Sequence, residues 1–151
     1  MMIRLHQTLT SFLGIGYISK GGGTVAAAVA CIIWYYAFDQ AQLAVTAGVT
    51  LLVTAYGVWG AAEVEPLWGK DSSKVVIDEV AGMFISLLFV PLNLTNLLVA
   101  LALFRFFDIA KPLMVRKMEQ LPKGWGVMGD DVLAGIYANI VLQIMLYLQL
   151  W

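Results

Sequence analysis

Long uncharged apolar stretches alternate with short polar segments along this chain. Residues 24–38, 41–62 and 132–151 contain no charged side chain, and the second of them is long enough to cross about 30 Å of hydrocarbon. Each stretch therefore predicts a membrane helix. Thr24 is placed to act as the N-cap of the first, and Trp151 would anchor the last at the far interface.

The uncharged residues 80–104 allow two interpretations. They could form one long helix, but the segment from Pro91 to Asn96 has the composition of a turn. That turn favours two short helices over 75–90 and 96–110. With two helices, all nine Lys and Arg residues fall on one side of the membrane, whereas a single helix would move the last five across it. The positive-inside rule therefore favours the pair of short helices, with the N-terminus in the cytoplasm.

The remaining segments complete a predicted membrane topology. Residues 1–20 predict an interfacial amphipathic helix and loop, and residues 111–131 predict a cytoplasmic loop. The composition is 61% hydrophobic and 13% charged, against about 25% charged residues in soluble domains. We therefore expect one domain over 1–151 with an all-α polytopic membrane fold of about five spanning helices, two of them short.

Acidic residues gather at the predicted cytoplasmic ends of three helices. Clustered carboxylates with a single histidine in the chain suit a hard divalent cation such as Mg²⁺. Each group also has an ordinary interpretation, either as surface acids at a helix end or as partners of a helix dipole. Taken together at one membrane face, they predict a metal site. The residues are Asp78, Glu79, Asp108, Asp130 and Asp131.

Basic and glycine residues near these acids suggest a phosphate ligand. Arg105, Asp108 and Lys111 recur at a spacing of three, so they line one helix face, either as a salt-bridge ladder or as a phosphate clamp. The glycine run before Thr24 could present backbone N–H groups to a phosphate, with Lys20 beside it. The chain has no Asp-x-Asp motif and one histidine, so phosphate chemistry would depend on carboxylates and metal.

Three segments resemble, in order and spacing, the signature segments of the bacterial phosphatidylglycerophosphatase A family. They are VIDEVAGM at 76–83, FRFFDIAKP at 104–112 and GVMGDDVLAG at 126–135. GGT at 22–24 lies where the family has a Pro-Gly-Thr turn, although alanine replaces the serine that commonly follows it. The resemblance implies a magnesium-dependent phosphatase of the bacterial inner membrane. Such an enzyme converts phosphatidylglycerophosphate into phosphatidylglycerol during glycerophospholipid biosynthesis, with its active site facing the cytoplasm.

The residue pattern and the resemblance together give each candidate residue an expected role. The expected metal ligands, for one or two Mg²⁺ ions, are Asp78, Glu79, Asp130 and Asp131. The expected catalytic residues are Asp78, Glu79, Asp108 and Asp131. The expected phosphate-binding residues are Lys111, Arg105, Thr24 and Lys20. A metal-activated water and a carboxylate both stand as candidates for the nucleophile.

Two other functions fit the same pattern. One is a phosphatase of another membrane lipid phosphate or pyrophosphate, and the other is a small cation-coupled transporter that uses the acids as an ion path. Against the transporter, no charge lies near the middle of any predicted span. The expected partners are the membrane and the lipid substrate, with no nucleic acid. Small residues in the first predicted membrane helix permit close helix contact, either within the chain or in a homo-oligomer.

Overall fold

The computed structural model describes residues 2–18, 20–39 and 41–151, and this part of the chain contains helices and no strand. A single 3₁₀ turn covers Ile15–Tyr17. The α-helices are α1 (Met2–Thr10), α2 (Gly22–Ala37), α3 (Leu43–Trp68), α4 (Ile77–Leu87), α5 (Leu94–Ala110), α6 (Val115–Met118) and α7 (Gly124–Tyr147). The predicted all-α class is confirmed. The predicted segment 1–20 includes two residues, Met1 and Ser19, that lie outside the described ranges.

Helix α7 lies at the centre and packs against α3, α4, α5 and α6. Its crossing with α4 brings two glycines together. A Cβ atom on Gly135 would lie 2.4 Å from the carbonyl oxygen of Gly82, and one on Gly82 would lie 2.7 Å from the carbonyl oxygen of Asp131. The two backbones are therefore in direct contact, and no side chain larger than hydrogen fits between them.

The apolar core lies between α2, α4, α5 and α7. The rings of Trp34 on α2 and Phe84 on α4 have centroids 5.0 Å apart. The side of α2 that faces this core carries Ala26, Ala27 and Ala30, all fully buried. These three small residues therefore make close contacts within the chain.

The region 80–104 forms two helices joined by a turn. Helix α4 ends at Leu87, and α5 begins at Leu94. The side chain of Asn93 accepts a hydrogen bond from the backbone N–H of Asn96 at 2.8 Å, and the Asn96 amide donates to the Pro91 carbonyl oxygen at 2.8 Å. These are local bonds made by the polar turn residues, so the interpretation as two short helices is the correct one.

Helices α3 and α7, with 26 and 24 residues, are long and apolar enough to cross a membrane. Within the described ranges these are two such helices, fewer than the five predicted. The 11 residues of α4 extend about 16 Å at 1.5 Å per residue, roughly half of a hydrocarbon core. Fewer helices than predicted meet this criterion, because α2, α4 and α5 have 16, 11 and 17 residues, fewer than the roughly 20 of a typical span.

Two predicted helix boundaries lie far from the observed ones. Helix α3 continues six residues beyond Ala62, because the charged side chains that follow point outward and do not end a helix. Helix α7 begins at Gly124 instead of residue 132, so the predicted loop 111–131 contains α6 and the start of α7. A Cβ atom on Gly124 would lie 1.8 Å from the carbonyl oxygen of Val58. Glycine usually disfavours a helix, but Gly124 lies within one because its small size allows α7 to pack closely against α3.

The predicted N-cap role of Thr24 is wrong. Helix α2 begins at Gly22, and its N-cap is Gly21, whose φ of 84° lies in the left-handed region that favours glycine. Thr24 is the third residue of the helix, and its side chain is exposed. The glycine run is therefore the start of the helix as well as the loop before it.

Candidate active site

A polar cavity of about 250 Å³ lies where α2, α4 and α7 begin and α5 ends. All five acids that the sequence singled out line it, together with two cationic side chains and the backbone of the glycine run. The acids are Asp78, Glu79, Asp108, Asp130 and Asp131, and the cations are Arg105 and Lys111. Segments separated by tens of residues in sequence therefore meet at one end of the helix bundle.

The carboxylates form two overlapping groups. Oxygen atoms of Asp78, Glu79 and Asp131 lie within 4.8 Å of one another, and so do those of Asp108, Asp130 and Asp131. Two oxygens that share one cation are separated by at most about 4 to 5 Å, since metal–oxygen distances are about 2.1 to 2.5 Å. Each group is thus close to the size of one coordination sphere, and Asp131 belongs to both.

Local structure explains how each carboxylate reaches the cavity. Asp78 and Glu79 occupy the first turn of α4, and Asp108 lies in the last turn of α5. A Cβ atom on Gly23 of α2 would lie 1.9 Å from Oε1 of Glu79, so the absent side chain leaves the space that this carboxylate fills. Asp131 lies in the second turn of α7, directly beside the glycine crossing with α4.

The charges in the cavity do not balance. Six carboxylates line the cavity, the five predicted acids and Asp71, against two cationic side chains, and Asp131 is only 3% exposed. Among the described residues, Oε2 of Glu79 and Nε of Arg105 are buried without a hydrogen-bond partner. Because buried charges are costly unless they are paired, this donor set fits a bound cation, and the free guanidinium N–H fits an anionic oxygen.

The two cations are each tied to an acid. Arg105 Nη1 donates to Oδ2 of Asp108, which is one step of the predicted i,i+3 ladder. Lys111 instead donates to Asp130 Oδ2 at 2.7 Å and to Glu119. Burial alone would lower the pKa of Lys111, but these two hydrogen bonds outweigh it and hold that pKa above its ordinary value. Lys111 therefore remains protonated.

The different partners of Lys111 follow from the backbone. Lys111 is the C-cap of α5 and adopts the left-handed conformation, with φ 45°. The chain therefore turns away from the axis of α5, and the side chain reaches α7 instead of Asp108. Glu119, in the segment after α6, was missed at the sequence level because no motif marks it. Asp71, Ser72 and Ser73 also line the cavity and were missed for the same reason.

Two predicted phosphate-binding side chains lie outside the cavity. Thr24 and Lys20 are exposed, and neither lines the cavity. The glycine run contributes Gly21, Gly22 and Gly23 instead. What this segment offers to a ligand is thus the backbone at the start of a 16-residue helix, where N–H groups are free to bind an anion.

Comparisons with known proteins show the family of this chain. The family model of phosphatidylglycerophosphatase A matches residues 8–146. A Bacteroides thetaiotaomicron protein, provisionally named phosphatidylinositol-3-phosphatase, is 46% identical over 138 residues, which cover 87% of each chain. Phosphatidylglycerophosphatase A of Haemophilus influenzae is 49% identical over 82 residues, or 53% of this chain and 50% of its own. No solved structure matches. Because the family model covers most of the sequence, this chain belongs to the phosphatidylglycerophosphatase A family and is a phosphatase.

Proposed function

We propose that this enzyme hydrolyses the terminal phosphate monoester of phosphatidylglycerophosphate in a Mg²⁺-dependent reaction, giving phosphatidylglycerol and phosphate in glycerophospholipid biosynthesis. The observation that carries the proposal is the meeting of the five predicted carboxylates, a sixth from Asp71, and two cations in one cavity. Membership of the family supports the substrate. The pair of three-carboxylate groups supports the metal, because oxygen-only ligand sets are those that Mg²⁺ prefers.

The two groups assign the metal ligands in this proposal. Asp78, Glu79 and Asp131 would hold one Mg²⁺, and Asp108, Asp130 and Asp131 would hold a second. When bound, Mg²⁺ supplies positive charge against the phosphate oxygens and lowers the pKa of a coordinated water. Glu79 has an unpartnered oxygen ready for this role.

The cationic side chains orient the phosphate. Arg105 has a buried Nε–H without a partner, and its guanidinium is held in place by Asp108. Lys111 is held between Asp130 and Glu119, so its position is set before the substrate arrives. Preorganised donors of this kind stabilise charge that develops on phosphoryl oxygens. Thr24 and Lys20 have no part in this arrangement, because neither side chain lines the cavity.

The Mg²⁺ requirement can be tested on purified enzyme in detergent. We expect phosphate release from phosphatidylglycerophosphate to fall to background with excess EDTA and to return when Mg²⁺ is added. The physical reason is that the carboxylates repel a phosphate dianion unless cations offset their charge. Undiminished release in EDTA, from protein shown to be free of bound metal, would refute the metal-dependent mechanism.

A second candidate substrate is phosphatidylinositol 3-phosphate, because a relative that is 46% identical carries that name. Both lipids present a phosphate monoester above a diacylglycerol, and the cavity chemistry suits either. The same assay separates them through kcat/KM. If kcat/KM for phosphatidylinositol 3-phosphate matches or exceeds kcat/KM for phosphatidylglycerophosphate, the inositol lipid becomes the proposed substrate.

The proposed setting is the bacterial inner membrane, with the cavity at its cytoplasmic face. The support is the distribution of charge, because the segments flanking the cavity end carry Lys20, Lys74 and Lys123, and lysines favour the cytoplasmic side.

In a Cys31→Ala background, Lys117→Cys should react with an impermeant thiol reagent only from the cytoplasm. Gln149→Cys, beyond the opposite end of α7, serves as the control and should react only from outside. Labelling of residue 117 from outside would reverse the proposed orientation.

A further inference from the structure

We propose that one acyl chain of the lipid substrate lies in an apolar groove between α2 and α5, on the same two helices that carry part of the active-site cavity. This inference rests on the proposed function, since it requires a lipid phosphate as the substrate. It adds where the hydrophobic part of that substrate is bound.

The groove has a volume of about 450 Å³ and a lining of apolar and tyrosine side chains. Cys31 of α2 and Leu97 of α5 lie at its floor and are 8% and 5% exposed. Ile32 and Leu98 form its walls and are 56% and 57% exposed. Exposed apolar walls above a buried floor make a channel suited to a flexible apolar ligand.

The groove and the cavity lie on the same two helices, one further along than the other. At the cavity end, Gly23 of α2 lies opposite Asp108 of α5, because both line the cavity. The groove begins at Ala28 and Leu101, about 8 and 10 Å further along these helices at 1.5 Å per residue. It ends near Leu94, about 20 Å from the cavity end. The two helices are thus antiparallel, with charged groups at one end and an apolar channel along the rest.

This geometry matches the chemistry of a phospholipid. The cavity is lined by carboxylates and cations, so it can hold a phosphate but not an acyl chain. The hydrophobic part of the substrate must therefore leave the cavity. The helix pair that flanks the phosphate site provides an apolar path within about 10 Å of it. The position of both features on one helix pair, about 10 Å apart, favours an acyl chain over a second copy of the protein as the occupant.

The test compares substrates of different chain length in detergent micelles. Ala28→Trp places a large side chain in the groove, and Ala102→Trp makes the same change on the exposed surface of α5, outside the groove. The ratio of kcat/KM for dioleoyl over dihexanoyl phosphatidylglycerophosphate should fall about tenfold or more in Ala28→Trp. In Ala102→Trp it should stay within about twofold of the wild-type value. An unchanged ratio in Ala28→Trp would overturn the proposal.

A second variant decides the result if Ala28→Trp damages the fold and loses activity on both substrates. Leu98 is largely exposed, so Leu98→Trp fills the groove without disturbing the core. A selective loss on the dioleoyl substrate supports the proposal, and an unchanged ratio refutes it. An unchanged ratio accompanied by a change in oligomeric mass, measured by light scattering, would show that the groove binds a second copy.

The same assay separates failure of this inference from failure of the proposed function. If the wild-type enzyme hydrolyses both substrates and the groove variants keep the wild-type ratio, only the acyl-chain groove is refuted. If the folded wild-type enzyme releases phosphate from neither substrate, the proposed function is refuted and the inference falls with it.

Discussion

Asp131→Asn is expected to lower kcat/KM for phosphatidylglycerophosphate by about a thousandfold or more. Asp131 is the carboxylate shared by both three-acid groups, so its replacement weakens both proposed metal sites at once. Asparagine has the same shape but no charge, and it cannot bridge two cations as a carboxylate does. The measurement is kcat/KM as a function of Mg²⁺ concentration.

Loss of activity through misfolding is separable from loss of a ligand. Asp131 is buried among other acids, so the metal-free Asp131→Asn protein should unfold at the same temperature as the wild type or higher, because one repelling charge is removed. The control is Glu63→Gln, which changes an exposed carboxylate on α3 outside the cavity, where we expect activity within about twofold of the wild type. An Asp131→Asn enzyme that kept about a tenth of wild-type activity would contradict the shared-ligand role.

Gly135→Ala is expected to destabilise the protein by about 3 kcal/mol. The new Cβ atom would lie 2.4 Å from the backbone carbonyl oxygen of Gly82, and neither backbone can move without separating α4 from α7. The expected change in thermal midpoint is a decrease of about 6–12 °C, measured by intrinsic fluorescence in detergent. Activity should fall as well, because α4 carries Asp78 and Glu79.

Gly48 provides the matched control for this substitution. It lies in α3, and a Cβ atom placed there meets nothing within 4 Å. Gly48→Ala should therefore leave the midpoint unchanged or raise it, because alanine favours a helix by up to about 1 kcal/mol over glycine. Equal midpoints for Gly135→Ala and the wild type would show that the α4–α7 crossing is not tightly packed.

The local sequence predicted those features that depend on neighbouring residues. The turn from Pro91 to Asn96 was correctly predicted, because its asparagine side chains make hydrogen bonds within the turn itself. The acidic residues were recognised from their positions beside the apolar stretches, although Asp130 and Asp131, expected where the last helix begins, lie in the second turn of α7. Apolar stretches show where the helices lie, and the charged residues show which helix ends lie together.

An interhelical contact explains why the predicted start of α7 was wrong. Gly124 was assigned to a loop because glycine usually disfavours helices, but its hydrogen is what allows α7 to approach the backbone of Val58. The deciding atom belongs to another helix, and a local pattern carries no information about it. Thr24, expected at the phosphate because a family turn lies there, has an exposed side chain that does not line the cavity.

By itself, then, the sequence determined the helical class, the short α4–α5 pair and the acidic residues worth testing. Only the tertiary structure decided that Asp131 belongs to both carboxylate groups and that Lys111 pairs with Asp130 and Glu119. The physical reason is that hydrophobic periodicity and turn residues act over a few positions along the chain. The separation of two carboxylates on different helices depends on how closely those helices pack, which here is set by the glycines at their crossing.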